Sequence, residues 1–518
     1  MLGTTRSVGR DGDRSPPATV WLAVLAAMDV AVHLAVGNNY GYFRDELYYL
    51  IDGWRPALGY VDQAPLIGWL AYLTNLLFAD SLFGIHIIPA LAGGALVAVA
   101  GLSAREAGGG KPAQILAALG TLSALVFLAT PSLFSMDVLD ELWWTVAGYF
   151  LLRALRTGGT RPWLGFGGAC AIGFLTKLTI FFFGFGVLVG LLLTPARASF
   201  RGRGFWLGGL LAVLGLLPYL AWNATHGWAT VQFWQNYGGL SGGDPLGFLA
   251  TQIVTLNPFT IPLTIAGLVF YFRGSAGRPF RPVGVAFVAI YLLLTLIHAK
   301  AYFLAPAYPM LWAGGAVWIE RHAASRVGKI GWLRIYPAAI ILSALLLAPL
   351  AMPLLPPATY ARSYGALSFL GDAGAGQANT SAFPQYLADR FGWDSLTDTV
   401  AGVVDQLPAD QRRDACIVTN NYGEASALLV LGKSRGLPPV ISGHNNFALW
   451  GPGSCSGKVL ITVNLPEDRL REAYGEVAEV ARSRCQYCVG DENNIPIDLA
   501  TQPRIPFARV WAALRHFD

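Results

Sequence analysis

The sequence predicts a mainly α-helical polytopic membrane protein, with about 11 transmembrane helices and a C-terminal soluble α/β domain. Three observations point there. Of the 518 residues, 54% are hydrophobic and only 13% charged, against roughly 25% charged in soluble domains. Mean hydropathy is +0.47. The charges are also unevenly placed. Residues 1–356 hold 22 Lys+Arg and 14 Asp+Glu, while residues 357–518 hold 14 and 17 in less than half the length. The composition excludes a disordered chain, and five cysteines exclude a disulfide-dense secreted scaffold. A net charge of +5 spread in this way gives no nucleic-acid signature.

Apolar runs of roughly 17–25 residues can cross a bilayer as helices. Eleven are read here, at about 18–37, 82–104, 113–131, 138–155, 162–177, 178–194, 205–224, 248–272, 283–299, 303–320 and 335–354. The shorter run 65–79 is expected to lie at the interface as a helix. The first run follows a polar, Pro-containing stretch without a clear cleavage site, so it is read as a span and not as a signal peptide. Basic residues orient such chains. One set of loops holds Arg6, Arg10, Arg14, Arg105, Lys111, Arg153, Arg156, Arg161, Arg197, Arg201, Arg203, Arg273, Arg278, Arg281, Arg321, Arg326, Lys329 and Arg334. The other holds only Arg44, Arg55, Lys177 and Lys300. The imbalance predicts a cytoplasmic N-terminal tail over 1–17, a transmembrane domain over 18–356 with a first outer loop at 38–81, and an extracytoplasmic domain over 357–518.

In that last domain, 415–419, 439–442 and 458–463 read as strands, and 422–435 and 466–483 as helices. The alternation predicts a small α/β fold with a mainly parallel sheet. Cys416, Cys455, Cys485 and Cys488 fall here, and Cys170 in the fifth span. In an oxidising compartment the four allow two bridges in three connectivities. The first expectation is one bridge from Cys455 to Cys485 or Cys488.

Charged groups at membrane depth are costly, so they are functional candidates. On the expected outer side the acids outnumber the bases: Asp45, Glu46, Asp52, Asp62 and Asp80 in the first loop, Asp137, Asp140 and Glu141 opening the fourth span, and Asp244 later. Carboxylates can deprotonate a hydroxyl, hold a divalent cation or grip sugar hydroxyls. Lys177 and Lys300 are isolated ammonium groups that need an anion partner or must snorkel to headgroups, and a phosphate would satisfy them. Asp29 inside the first span pairs with another helix or lies near a lipid groove. Seven histidines are scattered without ligand spacing, and are read as structural apart from His298 beside Lys300. Tyr422-Gly-Glu424 and Ser442-Gly-His444 follow expected strands, where ligand crevices form in α/β folds. A transporter or lipid-linked sugar flippase is the rival class. It would place charges at the midplane of an inverted repeat, and neither is visible in the sequence.

Four segments resemble the GT-C superfamily of membrane glycosyltransferases, and within it family 39, which includes protein O-mannosyltransferases and the aminoarabinose transferase of lipid A. They are Phe43-Arg-Asp45-Glu46-Leu-Tyr48 followed by Gly59-Tyr-Val-Asp62-Gln-Ala-Pro65-Leu; Asp137–Trp144; Gly173–Lys177; and Lys300-Ala-Tyr302 continuing to Pro306 and Pro309. Ala64 departs from the family's usual residue before the first-loop proline. Asn420–Pro438 and Ser442–Gly451 look like the outer domain of bacterial members. The resemblance implies a sugar carried on a polyprenyl phosphate and moved to an acceptor protein, glycolipid or polysaccharide outside the membrane by inverting displacement. It also implies Asp45 as base, with Glu46 orienting it or binding the acceptor. Lys177, Lys300 and Tyr302 would then bind the donor phosphate. Asp137, Asp140 and Glu141 would hold sugar or a cation, with Arg44, Tyr48 and Asp62 as further first-loop candidates. Membrane lipids are expected partners and nucleic acid is not. The carboxylates leave room for a divalent cation, and no organic cofactor is expected.

Overall fold

The computed structural model describes residues 15–236, 245–324, 330–372 and 381–518. Arg6, Arg10, Arg14, Asp244, Arg326 and Lys329 lie outside the described residues. The helices of the first part run α1 (Thr19–Val36), α2 (Arg44–Trp54), α3 (Leu66–Phe78), α4 (Leu82–Glu106), α5 (Lys111–Ser123), α6 (Leu125–Ala129), α7 (Met136–Thr157), α8 (Thr160–Thr176), α9 (Ile180–Leu192), α10 (Arg203–Thr225), α11 (Ala229–Asn236), α12 (Pro245–Leu256), α13 (Ile261–Phe272), α14 (Arg281–Leu296), α15 (Tyr308–Ala324) and α16 (Ile330–Ala351). Each of the eleven apolar runs falls on one of these helices or on a bent pair of them. Among the described residues four helices are long and apolar enough to cross a membrane, and up to seven spans result if each bent pair counts as one. The protein is a multi-pass membrane protein. The 65–79 run forms α3 as expected.

The bends have a chemical explanation. Inside a bilayer every backbone polar group needs a protein partner. The α5–α6 segment bends by 72° and the α12–α13 segment by 100°. Asn257, fully buried between α12 and α13, serves both breaks. Its side chain accepts from the Phe259 N–H at 3.0 Å and donates to the Ser123 carbonyl at 3.1 Å, at the end of α5. It also bonds the Ser343 hydroxyl at 2.9 Å, which ties in α16. His33 works similarly, bonding the Leu128 carbonyl of α6 at 3.0 Å. Asp29 therefore faces a partner on its own helix, with His33 Nδ1 3.5 Å from its carboxylate.

At one end of the bundle Glu106 pairs with Arg156 at 3.0 Å, and Glu320 accepts from the Gly110 N–H at 2.7 Å. Asp137, Lys177 and Lys300 sit at the other ends of α7, α8 and α14. Between α2 and α3 the backbones come close. A Cβ on Gly53 would lie 2.7 Å from the Ala71 backbone, so only glycine fits.

The C-terminal part adds α17 (Pro357–Ser363), α18 (Ser368–Asp372), α19 (Gln385–Ala388), α20 (Trp393–Gln406), α21 (Ala409–Asp414), α22 (Tyr422–Leu431), α23 (Asn446–Trp450), α24 (Glu467–Ala473) and α25 (Phe507–Leu514). Its strands are β1 (Ala415–Thr419), β2 (Val440–Ser442), β3 (Val459–Val463), β4 (Tyr474–Ser483) and β5 (Ile495–Pro503), in the order β2-β1-β3-β5-β4. Two corrections follow. The sheet is mixed and not mainly parallel: β1 pairs parallel with β2 and β3, but β5 pairs antiparallel with β3 and β4. The stretch 466–483 is not one helix, since it turns at Tyr474 from α24 into the long strand β4. Its second half, Tyr-Gly-Glu-Val-Ala-Glu-Val-Ala, lies against β5, where strand pairing outweighs a weak helical pattern.

The disulfide expectation is also corrected. Cys416 of β1 pairs with Cys455, while Cys485 and Cys488 carry free thiols. Cys455 precedes β3, which is hydrogen-bonded to β1, so sheet pairing brings these two together. Peptide mapping under non-reducing conditions should recover a Cys416–Cys455 linked pair and alkylated Cys485 and Cys488. Cys416→Ser should lower stability by about 2–4 kcal/mol, as expected for opening a loop of this size.

A candidate active site between the bundle and the C-terminal domain

The first outer loop is folded into the protein. Helix α2 begins with a capping box in which Glu46 reaches back to the Phe43 N–H at 2.8 Å. Glu46 is fully buried. It also meets His86 of α4 at 2.6 Å and accepts from the Phe134 N–H at 2.7 Å, just before α7. Burial opposes its charge, but His86, Arg390 and the Phe134 N–H hold its carboxyl below the usual range. Glu46 thus faces the interior and lines neither cavity described below.

Its neighbour Asp45 faces the other way. Asp45 lines a cavity of about 530 Å³ together with Tyr48, Asp62, Asp137, Lys177, Lys300, Tyr302, Tyr422 and Asn445. A second, narrower cavity of about 220 Å³ shares Asp45, Asp137, Lys300 and Tyr302, and continues along Leu125, Val126, Ala129, Leu133 and Leu370. The four shared residues therefore stand where the two cavities meet, and Thr130, Ser135, Thr255 and Gln385 also line the smaller one.

The polar groups there are organised. Lys177 Nζ lies 2.5 Å from Asp137 Oδ1 and sits over the rings of Tyr302 and Phe303 at 5.2 and 4.9 Å. Asp45 accepts from the Tyr422 hydroxyl at 2.8 Å, and Arg44 stands 3.9 Å away. Burial raises the Asp45 carboxyl, and the Arg44 charge only partly offsets this. Burial also pushes Asp62 up to about 7. The Tyr48 hydroxyl donates to Asp62 at 3.2 Å. Its ring stacks on Tyr422 at 4.4 Å.

Other candidates are placed elsewhere. Asp140 is buried and accepts from the Trp144 indole at 3.0 Å and the Thr179 hydroxyl at 2.6 Å. Glu141 is buried and bonded to the Thr130 hydroxyl at 2.7 Å. Neither lines the cavities, whereas Asp137 lines both. Arg44 turns instead toward Asp389 at 3.4 Å and Glu492 at 4.0 Å. Asp52 is buried and accepts from Asn446 at 2.9 Å and from Gln63. Asp80 pairs with Lys433 at 3.0 Å. His298 is exposed and lines neither cavity.

Residues of the C-terminal part also line the larger cavity. Tyr422 and Asn445, at the chain segments following β1 and β2, form its wall. Gly423 makes the approach feasible, because a Cβ there would lie 2.6 Å from the Arg44 side chain. Asn446 binds the Val61 N–H at 2.8 Å as well as Asp52. Arg390, fully buried, bonds the Ser132 carbonyl and the Asn39 carbonyl, and so ties this domain to the bundle. Of the Tyr422-Gly-Glu424 motif, only the tyrosine reaches the cavity. Glu424 caps α22 and bonds Asn464 at 2.9 Å.

Comparison with known proteins agrees with this architecture. The fold is GT-C-like. Residues 62–222 match the model of the dolichyl-phosphate-mannose-protein mannosyltransferase family. An undecaprenyl phosphate-α-4-amino-4-deoxy-L-arabinose arabinosyl transferase of Pseudomonas fluorescens is 29% identical over 170 residues, 32% of this chain. The match spans 24% of that relative's length. The structure is similar to that of ArnT from Cupriavidus metallidurans bound to undecaprenyl phosphate, with a TM-score of 0.59 at 15% identity over 93% of this chain and 98% of the other. It is also similar to the arabinofuranosyltransferase AftD from Mycobacteria, with a TM-score of 0.53 at 15% identity over 94% of this chain and 40% of the other.

The contrasting roles of adjacent carboxylates are testable. Glu46→Ala strands a buried histidine and a buried N–H, and should lower thermal stability in detergent by roughly 3 kcal/mol. Asp45→Asn, at the cavity wall, should leave the melting temperature nearly unchanged.

Proposed function

We propose that the protein is an integral-membrane glycosyltransferase that takes a sugar from a polyprenyl-phosphate donor and passes it to an acceptor hydroxyl or phosphate on the extracytoplasmic side. The observation that carries this reading is the meeting of Asp45, Asp137, Lys300 and Tyr302, acids and a base together, where the two cavities join. A lipid-linked sugar needs room for a sugar, an anionic phosphate and an apolar chain, and the smaller cavity offers Leu125, Val126, Leu133 and Leu370 to the last. The family match and the relatives named above, two of which carry undecaprenyl phosphate in their descriptions, support the donor class.

The chemistry follows from the residues. Asp45 accepts the proton of the acceptor hydroxyl as that oxygen bonds the anomeric carbon. The bond from that carbon to the phosphate oxygen breaks, the configuration inverts, and the polyprenyl phosphate leaves as an anion. This leaving group needs positive charge more than it needs a proton. Lys177 and Lys300, which line the same cavity, supply that charge, and Tyr302 adds a hydroxyl. Asp137 holds Lys177 in place and faces the sugar. The Tyr422 hydroxyl bond and the Arg44 charge keep the Asp45 carboxylate aimed. The expected extracytoplasmic placement rests on the basic residues gathered at the opposite helix ends.

Asp45→Asn should abolish transfer from polyprenyl-phosphate sugars while preserving fold, read by mass spectrometry of labelled product. Turnover at the wild-type rate would remove Asp45 from the base role. A base with a raised pKa is lost as pH falls through that value, so the wild-type rate should decline on the acid side above the ordinary aspartate value of about 3.9. Lys177→Ala should weaken donor binding at least about tenfold and acceptor binding much less, since one charge-assisted phosphate contact is worth about 1.5–3 kcal/mol. Equal losses for both substrates would argue against a phosphate contact.

A further inference from the structure

The geometry points to a transition-metal site of the Zn²⁺ class, made by His444, His516 and Asp518, the last of which lines the larger cavity. This goes beyond the glycosyl-transfer reading and does not depend on it.

The site is built by backbone pairing. The segment after β2 and the segment after α25 form a parallel bridge between His444 and His516. The His516 N–H donates to the Gly443 carbonyl at 2.9 Å, and the Asn445 N–H to the His516 carbonyl at 3.1 Å. Bridged residues project to the same side of the pair, and in an extended segment so does the residue two further along. That rule places His444, His516 and Asp518 on one side. The imidazoles stack with centroids 4.5 Å apart, and Asp518 Oδ1 lies 3.2 Å from His444 Nε2 and 3.6 Å from His516 Nε2. One ligand atom from each residue falls within 4.8 Å of the others.

Two details point to an ion more than to a simple hydrogen-bonded cluster. His516 Nδ1 lies 2.8 Å from the Leu514 carbonyl, which can only accept, so Nδ1 carries the proton. In the neutral ring this leaves the Nε2 lone pair facing the Asp518 carboxylate, an arrangement that a cation between them relieves. Such an Nδ1–H to carbonyl bond is the usual way a metal-binding histidine is oriented. His444 Nε2 lies 2.9 Å from the Asp518 main-chain oxygen, which can only accept, so its proton sits on Nε2, and the lone pair left for an ion is on its buried Nδ1, which makes no hydrogen bond. Two imidazole nitrogens and one carboxylate suit Zn²⁺ and its neighbours in the transition series, while Mg²⁺ and Ca²⁺ prefer all-oxygen shells. Three protein ligands leave a coordination position open. Asp518 also lines the larger cavity, as do Asn445 and Asp62. An ion there would lock the wall that carries Asn445 and Asn446 onto the first outer loop.

The test uses the full chain in detergent, stripped with chelator and titrated with Co²⁺ alone. The expected result is one ion per chain with the visible d–d bands of a low-coordinate nitrogen/oxygen site, displaced by Zn²⁺. In His444→Ala and Asp518→Asn the affinity should fall at least about tenfold. Absence of uptake by the wild type, or equal affinity in the variants, overturns the proposal. So does a thiolate-to-cobalt charge-transfer band, which would put the ion on Cys485 and Cys488. A measurement on the wild type alone covers the case of variants that do not fold. Zn²⁺ should protect His444 and His516 from acylation by diethylpyrocarbonate, mapped by peptide mass, and unchanged modification of both overturns the site.

Discussion

The buried carboxylate of Glu46 is the contact on which the geometry of the candidate site depends. It joins the start of α2, His86 of α4 and the Phe134 N–H before α7. A charge removed from water must have every lone pair satisfied, so this group fixes the first turn of α2 at one position and angle. With that turn fixed, the preceding side chain, Asp45, points outward into the chamber. The α7 entry held by the same carboxylate carries Asp137, which lines the same cavity. One residue of an adjacent pair thus builds the scaffold and the other faces the cavity. Mistaking one for the other is easy in the sequence, where both are acids in the same loop.

Polar groups at membrane depth follow the same logic. Asn257, His33 and Asp140 each satisfy carbonyls, N–H groups or hydroxyls that a broken or crowded helix leaves open. Asp140 and Glu141 are bonded to Trp144, Thr179 and Thr130 inside the bundle, so they support α7 while Asp137, one turn earlier, is left to meet Lys177. Burial of a charge in a helical bundle therefore marks two different roles, and only the cavity separates them.

The C-terminal domain completes the chamber and does not merely cover it. Tyr422 bonds Asp45, Asn446 bonds Asp52 and the Val61 N–H, and Arg390 reaches carbonyls at Asn39 and Ser132. These contacts are side chain to backbone or side chain to side chain, and so depend on geometry that is set only when both parts are folded. The proposed His444–His516–Asp518 site lies in the same wall.

The sequence by itself determined the membrane-spanning character, the helix positions and most of the polar residues that line the chamber. Those properties are carried by local composition: runs of apolar residues long enough to form helices, and charges that stand out because they are few. It also placed β1, β2 and β3 correctly, since short β-branched runs between turn residues are local signals. Only the tertiary structure decided the rest. The direction of Asp45 against Glu46, the pairing of Cys416 with Cys455, the antiparallel half of the sheet and the meeting of His444 with His516 all join residues distant in the chain or facing opposite ways. Such contacts leave no mark in spacing or periodicity, because what selects them is the fit of surfaces and the need to pair buried polar groups once the chain is compact.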